Sequence, residues 1–179
     1  MILAFFLPFL ALDSVFSQNP SSACLNSFRI AALKKHNQLR ALHRAPALTL
    51  NSTISTFSQN YAVYLAQNNL FAHSKSIYGE NLAKAAFSIR PLNCSYWAEY
   101  FTTKWYQEIS LYNFKQPTYY PGTGHFTQIV WKSSSQLGVG FSVVNTTIQN
   151  IKATVIYYVA NYFRPGNIMG NYASNVLPP

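Results

Sequence analysis

The sequence predicts an α+β fold in which helices cover a small sheet. Two observations carry this. Up to about residue 112 apolar residues recur at threes and fours, whereas beyond residue 135 they alternate and β-branched and aromatic residues become frequent. The chain of 179 residues is 49% hydrophobic and 16% aromatic, and no internal repeat or low-complexity linker divides it, which suits one globular domain. About 160 residues bury roughly 70% of the surface of the unfolded chain, enough for a self-sufficient core.

The chain opens MILAFFLPFLALDSVFSQNP, with an apolar run from Ile2 to Leu12. That run is too short for the roughly 20 residues a membrane-spanning helix needs. It reads as a signal peptide over residues 1–17, with Val15 and Ser17 at the small-residue positions before cleavage, although its start carries no Lys or Arg. A retained membrane anchor is the alternative. Residues 18–179 then form the domain, and a secreted, extracellular location is expected.

A first helix is expected over residues 26–43, stopped by Pro46. A second follows Asn51, with Ile54, Phe57, Tyr61, Tyr64, Leu65 and Asn68 on one stripe, which predicts an aromatic buried face. A third, over residues 95–112, aligns Trp97, Phe101, Trp105, Glu108 and Tyr112. A carboxylate on an aromatic stripe costs several kcal/mol to bury unpaired, so Glu108 is expected to have a partner. Glu99 is placed in the first turn of that helix, where negative charge meets the helix dipole favourably. Residues 137–144 and 151–159 read as strands joined by a polar turn over residues 145–150.

Removal of the leader would take Asp13 with it and leave Glu80, Glu99 and Glu108 against thirteen Lys and Arg, a charge of +10. Such a surface favours anionic lipid, acidic glycans or other polyanions. The basic residues are scattered rather than blocked, so no nucleic acid is expected as a partner. Cys24 and Cys94 are too few for a disulfide-dense scaffold; in a secreted chain one bridge between them is the default. Asn51, Asn93 and Asn145 begin N-x-S/T sequons, the acceptor pattern of glycosylation.

No G-x-S-x-G elbow, H-E-x-x-H helix, phosphate-binding glycine loop or papain-like cysteine is present. What remains is a dispersed set of titratable residues, His73, Glu80, Glu108 and His125, at spacings of 7, 28 and 17 that form no local metal motif. Taken singly, His73 would end the second helix, Glu80 would cap a turn over residues 79–81, and His125 would be a hydrogen-bonded core residue.

The surrounding sequence points elsewhere. GHFTQIVWKSSSQLGVG, with HNQLR in the first helix and YGENLA before the third, closely resembles the CAP superfamily of cysteine-rich secretory, venom-antigen and pathogenesis-related proteins. EISLYNFKQP, GTGHFTQIVWK, ANYFRPGN and the terminal NVLPP look most like its Golgi-associated pathogenesis-related branch, over about residues 28–179. The resemblance implies a single three-layer α-β-α sandwich of the CAP/SCP type, with His73, Glu80, Glu108 and His125 meeting in one cleft. Two neutral imidazoles there would bind a divalent metal such as Zn2+, with the carboxylates as ligands or as groups orienting the rings. No metal is expected to be required for folding. Within GTGHFTQIVWK, a glycine-permitted turn would aim the His125 ring at the cleft while Phe126, Ile129, Val130 and Trp131 anchor the segment in the core. His36, Asn37 and Arg40 match the first-helix signature and are expected to fix that helix by hydrogen bonds, and Asn161, Tyr162, Pro165, Gly166 and Asn167 to close the cleft wall.

Three departures stand out. Val159-Ala160-Asn161-Tyr162 lies where the family usually has a Cys-Asn-Tyr run, so the disulfide usual there is absent. Ile2 replaces the glycine needed for myristoylation. Arg44 occupies a loop position usually held by glycine, and a local rearrangement is expected.

Three functions compete. The first is a secreted binding protein, metal-capable in its cleft, that takes lipid, sterol or glycan through an aromatic-bearing loop carrying Phe114, Tyr119 and Tyr120. In the second, a metal-assisted hydrolase, His73 and His125 would hold the metal and Glu80 or Glu108 would act as base. The third is an effector acting on defence or a host through protein partners, with an inert cleft. Catalysis is not the expectation.

Overall fold

The computed structural model describes residues 17–18, 20–88 and 92–179. Most of the expected leader, residues 1–16, lies outside the described residues. The short β1 (Ser17–Gln18) precedes α1 (Ser22–Leu42), β2 (Thr49–Leu50), α2 (Ser52–Gln67), β3 (Gly79–Ser88) and α3 (Cys94–Tyr106). A 3-10 turn (Gln107–Leu111), α4 (Gly124–Val130), β4 (Gln136–Ile148), β5 (Ile151–Phe163) and α5 (Tyr172–Asn175) complete the chain.

Side-chain caps set where the helices begin. The Ser21 hydroxyl accepts the Cys24 N–H, so α1 starts one turn earlier than its apolar period indicates. The Asn51 and Asn93 side chains accept the N–H of Ile54 and Tyr96 at the starts of α2 and α3. Both α1 and α2 end in the same left-handed motif. Arg44 at φ 54° and Asn69 at φ 49° reverse the chain, and Ala45 and Leu70 donate back to Arg40 and Leu65. Arg44 takes the left-handed backbone conformation that glycine adopts readily, and its guanidinium donates to Pro178 O at 2.7 Å.

The sheet has the order β1-β4-β5-β3, with β2 also pairing to β4 in parallel. The β4–β5 hairpin is longer than the alternation suggests, running from Gln136↔Phe163 to Ile148↔Ile151. The turn is only Gln149-Asn150, both at positive φ, the two-residue geometry whose twist matches the flanking strands. β3 pairs antiparallel to β5 from Gly79↔Tyr162 to Ser88↔Ala153. Glu80 is therefore a strand residue opposite Asn161, not the cap of a turn.

Helices cover both faces and make an α-β-α sandwich. On one face α1, α3 and α4 bury an aromatic layer in which Phe28 stacks on Phe141 at 4.3 Å and Trp105 on Tyr158 at 4.6 Å. Val159 and Ala160, at the position of the missing cysteine run, are fully buried in β5. Cys24 and Cys94 form a disulfide with Cα atoms 5.6 Å apart, tying the starts of α1 and α3.

On the other face α2 packs through Ile54, Ser55, Ser58, Ala62, Leu65 and Ala66, so the expected aromatic face is wrong. Tyr64 is exposed, and Phe57 and Tyr61 are only partly buried. The reason lies in β4. A Cβ at Gly140 would sit 2.1 Å from Ser58 O and one at Gly138 2.3 Å from the Ile54 side chain, so the helix backbone rests directly on the strand. Rings do not fit in that gap. The same approach lets α2 side chains finish the ladder of β4: the Gln59 amide accepts from Phe141 N–H and donates to Phe141 O, both at 2.9 Å, and Ser55 accepts from Val139 N–H.

Candidate ligand cleft

His73 does not end α2, which stops at Gln67; it lies in the loop between α2 and β3. That loop folds over Glu80, the second residue of β3. Glu80 Oε1 accepts the His73 Nδ1–H at 2.9 Å and the Ser74 N–H at 2.8 Å. Oε2 accepts the Ser74 hydroxyl at 2.5 Å and the Asn161 amide at 3.1 Å. The Glu80 side chain is only 5% exposed against 65% for His73. Burial alone would push its carboxyl up, but the hydrogen bonds from His73, Ser74 and Asn161 outweigh it and hold it below the ordinary range. The same bond to Glu80 raises the His73 imidazole above 6.5, against a smaller opposing effect of burial. Asn161 is fixed in turn by Ser58 of α2, whose hydroxyl donates to its Oδ1 at 2.8 Å.

His125 is the second residue of α4, a helix too short for its periodicity to show in the sequence. Glu108, in the 3-10 turn after α3, has the partners its position demands. Oε2 accepts the backbone N–H groups of His125 and Phe126 at 2.9 and 3.1 Å, capping α4 from another element. Oε1 accepts the His125 Nδ1–H at 2.6 Å. The indole of Trp105 stacks parallel to the His125 ring at 5.7 Å, while Phe126, Ile129, Val130 and Trp131 are buried and anchor the segment. The positive φ falls at Gly122, ahead of the helix.

His73, Glu80, Glu108 and His125 line one cleft of about 240 Å³, together with Asn81, Tyr119 and Asn167. Both imidazoles present Nδ1 to a carboxylate, and no described residue hydrogen-bonds either Nε2. Nδ1–H facing a carboxylate leaves the lone pair on Nε2, the arrangement that raises the basicity of a metal-binding ring. The donor set available to a divalent cation is thus two imidazole nitrogens. No group of three or more His, Cys, Asp or Glu side chains gathers for a metal among the described residues. The two carboxylates are occupied in holding rings and backbone.

Asn81, Asn161, Asn167 and Ser74 complete the cleft, and only Asn161 and Asn167 stand out in the sequence. The Asn81 amide donates to His125 O and to the Tyr162 hydroxyl, both at 3.1 Å, and that hydroxyl lies 2.8 Å from His36 Nε2. Asn167, at φ 58°, accepts from Thr127 and donates to Gly124 O. His36 thus supports the cleft through β5, whereas Asn37 exchanges two bonds with Leu48. Arg40, fully buried and with no carboxylate beside it among the described residues, donates to the carbonyls of Pro46, Ile129, Trp131 and Ser134. It clamps the segment behind α4 rather than the sheet.

The remaining candidates are dispersed. Phe114 stacks on His43 and meets Tyr112 and Phe126 edge-on, and the Tyr120 hydroxyl donates to Gln116 O, so both pack on the domain. Tyr119 is half exposed at the cleft. Glu99 lies in the second turn of α3, not the first, because the helix begins at Cys94. Asn93 and Asn145 are exposed, whereas Asn51 also donates to Gln136 Oε1 at 3.0 Å.

A model of the cysteine-rich secretory protein family matches residues 33–162. The chain is 35% identical over 164 residues to Golgi-associated plant pathogenesis-related protein 1 of Homo sapiens, covering 85% of this chain and 94% of that protein. It is 34% identical over 153 residues to Protein PRY2 of Saccharomyces cerevisiae; that match covers 84% of this chain but only 41% of the yeast protein. Among solved structures, the crystal structure of NaASP2 with Zn2+ matches with a TM-score of 0.65 at 22% identity, over 90% of this chain and 92% of that one. BmVAL-1 matches with a TM-score of 0.60 at 16% identity, over 90% and 88%. The two structures share the fold, and the family model spans the elements that build the cleft. The chain belongs to the cysteine-rich secretory protein (CAP) family.

Proposed function

We propose that the chain is a secreted binding protein whose cleft takes a divalent cation such as zinc on the Nε2 atoms of His73 and His125. The observation that carries this is the shared orientation of the two rings: each gives Nδ1 to a glutamate, and both line one cleft. Glu80 and Glu108 orient the rings and are not themselves ligands. Two protein donors leave the rest of the coordination shell to water or to a bound molecule, so the cation would act as a polarising centre for an oxygen ligand. Support from outside the chain comes from NaASP2, which was crystallised with Zn2+.

Secretion is supported by the leader-like start and by a relative named secreted protein RBT4 of Candida albicans. No described helix is long and apolar enough to cross a membrane. The basic surface suits an anionic lipid, sterol-bearing membrane or glycan as partner, with Tyr119 the aromatic side chain placed to meet a ligand at the cleft. Calorimetric zinc titration of the purified chain beside the His73→Ala/His125→Ala double variant is the test. Saturable binding lost in the variant is expected; equal binding by both proteins, or none by either, would remove the metal from the proposal.

A further inference from the structure

The outer side of α3 carries two rings that stand outside the buried core. Tyr96 and Tyr100, one turn apart, are 53% and 37% exposed. Their planes lie within 24° of each other, with centroids 6.0 Å apart. Trp97 meets both edge-on, at 5.2 and 5.4 Å, and is itself stacked on Phe87 of β3 at 4.3 Å. The pair is thus braced by a ring anchored on the sheet, and a ligand docking on it costs little side-chain freedom. Lys104, a further turn along, lies 5.6 Å over the Tyr100 ring.

The residue that caps this helix, Asn93, also opens the sequon Asn93-Cys94-Ser95. Capping and glycosylation use different atoms of its amide. Oδ1 accepts the Tyr96 N–H at 3.0 Å, whereas Nδ2, the atom that takes sugar, has no hydrogen bond to a described residue, and Asn93 is exposed. Cys94 is buried in its bridge with Cys24 and leaves the outer surface to its neighbours. The cap bond fixes the asparagine against the first turn, whose third residue is Tyr96. A sugar on Nδ2 therefore starts beside an exposed ring. Asn51 caps α2 in the same way but engages its Nδ2 with Gln136 Oε1 at 3.0 Å, and a sugar there would compete with that bond.

A pyranose has an apolar C–H face and a polar rim, and a tyrosine has the same division between ring and hydroxyl. We propose that Asn93 carries an N-linked glycan whose first two sugars lie on Tyr96 and Tyr100 and cover the exposed face of α3. The proposal rests on the reading of the chain as secreted, because the acceptor pattern is used only on that route; it is independent of the metal cleft.

Peptide mass mapping of the full chain, expressed with its own leader in a eukaryotic host, is the first test. Sugar on Asn93 is expected, with the exposed Asn145 as an internal reference. The contact with the rings is read from urea unfolding. Asn93→Asp keeps the cap and removes the sugar, so it should raise the unfolding constant of the glycosylated protein by about fivefold, the equivalent of one ring contact. In sugar-free, disulfide-intact chain from bacteria the same substitution should change that constant by less than about twofold. In a Tyr96→Ala/Tyr100→Ala background the fivefold effect should vanish. Asn93 bare in exported chain would overturn this proposal alone; chain retained in the cell and bare at both Asn93 and Asn145 would overturn secretion with it. An undiminished effect of Asn93→Asp in the double-tyrosine background would show that the sugar does not lie on the rings. A glycosylated parent that sediments as a dimer, beside a monomeric double-tyrosine variant, would put a second copy of the chain on this face instead.

Discussion

The four histidines fall into two regions that treat the same ring in opposite ways. His36 and His43 each place Nδ1 against a backbone carbonyl, of Ala32 and Leu177, and Nε2 against a tyrosine hydroxyl, of Tyr162 and Tyr106. Burial lowers both below the ordinary 6.5, His36 to about 4. In the cleft that both line, His73 and His125 place Nδ1 against a carboxylate, and no described residue hydrogen-bonds Nε2. A ring answered on both nitrogens by neutral groups is a strut of the fold. A ring answered on one nitrogen by a carboxylate keeps the other for an outside partner.

The sharpest way to break this contrast is to remove a strut. His36→Ala should cost about 3–4 kcal/mol in urea unfolding, because it opens a cavity and strands the Tyr162 hydroxyl. A cost below about 1 kcal/mol would end the distinction. Acid should act on the same residue. Unfolded His36 takes a proton near 6.5 and folded His36 only near 4, so between these values the unfolded state binds more protons and stability falls as pH falls. The loss from this group approaches about 3 kcal/mol at pH 4 and grows no further below it. A urea midpoint flat across that window would show that His36 is not held neutral.

Glu108→Ala should cost about 2–3 kcal/mol, more than Glu80→Ala at about 1–2 kcal/mol. Glu108 answers two backbone N–H groups that cannot turn away; Glu80 answers one, of Ser74, beside the Asn161 amide, and its other donors, His73 and the Ser74 hydroxyl, can turn to water. The reverse order in urea unfolding would place the main support on the wrong carboxylate. For His73, NMR titration of the ring should give a midpoint above 6.5 that drops in Glu80→Gln. Its ion pair is present below the unfolded value and is lost as pH rises through the folded one; a midpoint unmoved by Glu80→Gln would show that the carboxylate does not set it. The smallest effect belongs to His73→Ala, within about 0.5 kcal/mol in stability, since the ring is largely exposed. Zinc binding should nevertheless be lost, and a variant both stable and unaltered toward zinc would make His73 a bystander.

Much of the architecture was readable because period and composition change along the chain. The helices α1, α2 and α3 and the β4–β5 hairpin follow from it, with ends shifted by caps such as Ser21 and by a turn as tight as Gln149-Asn150. β3 was not readable. GENLAKAAFS has no β-branched residue and little alternation, and only its pairing with β5 makes it a strand. The buried face of α2 misled because ring periodicity in the helix says nothing about the glycines opposite, which lie some 80 residues away. The cleft was legible through family resemblance alone. Spacings of 7, 28 and 17 carry no geometry, and the roles of Ser74 and Asn81 depend on a loop fold and a strand that the local sequence does not announce.

Gln59 has a consequence beyond local packing. By engaging both backbone groups of Phe141, one amide takes the place a neighbouring strand would occupy, and unlike a strand it cannot be extended. The middle of β4 is therefore closed to recruitment by another copy of the chain, a guard against edge-to-edge assembly supplied by a neutral side chain rather than by lysine or proline.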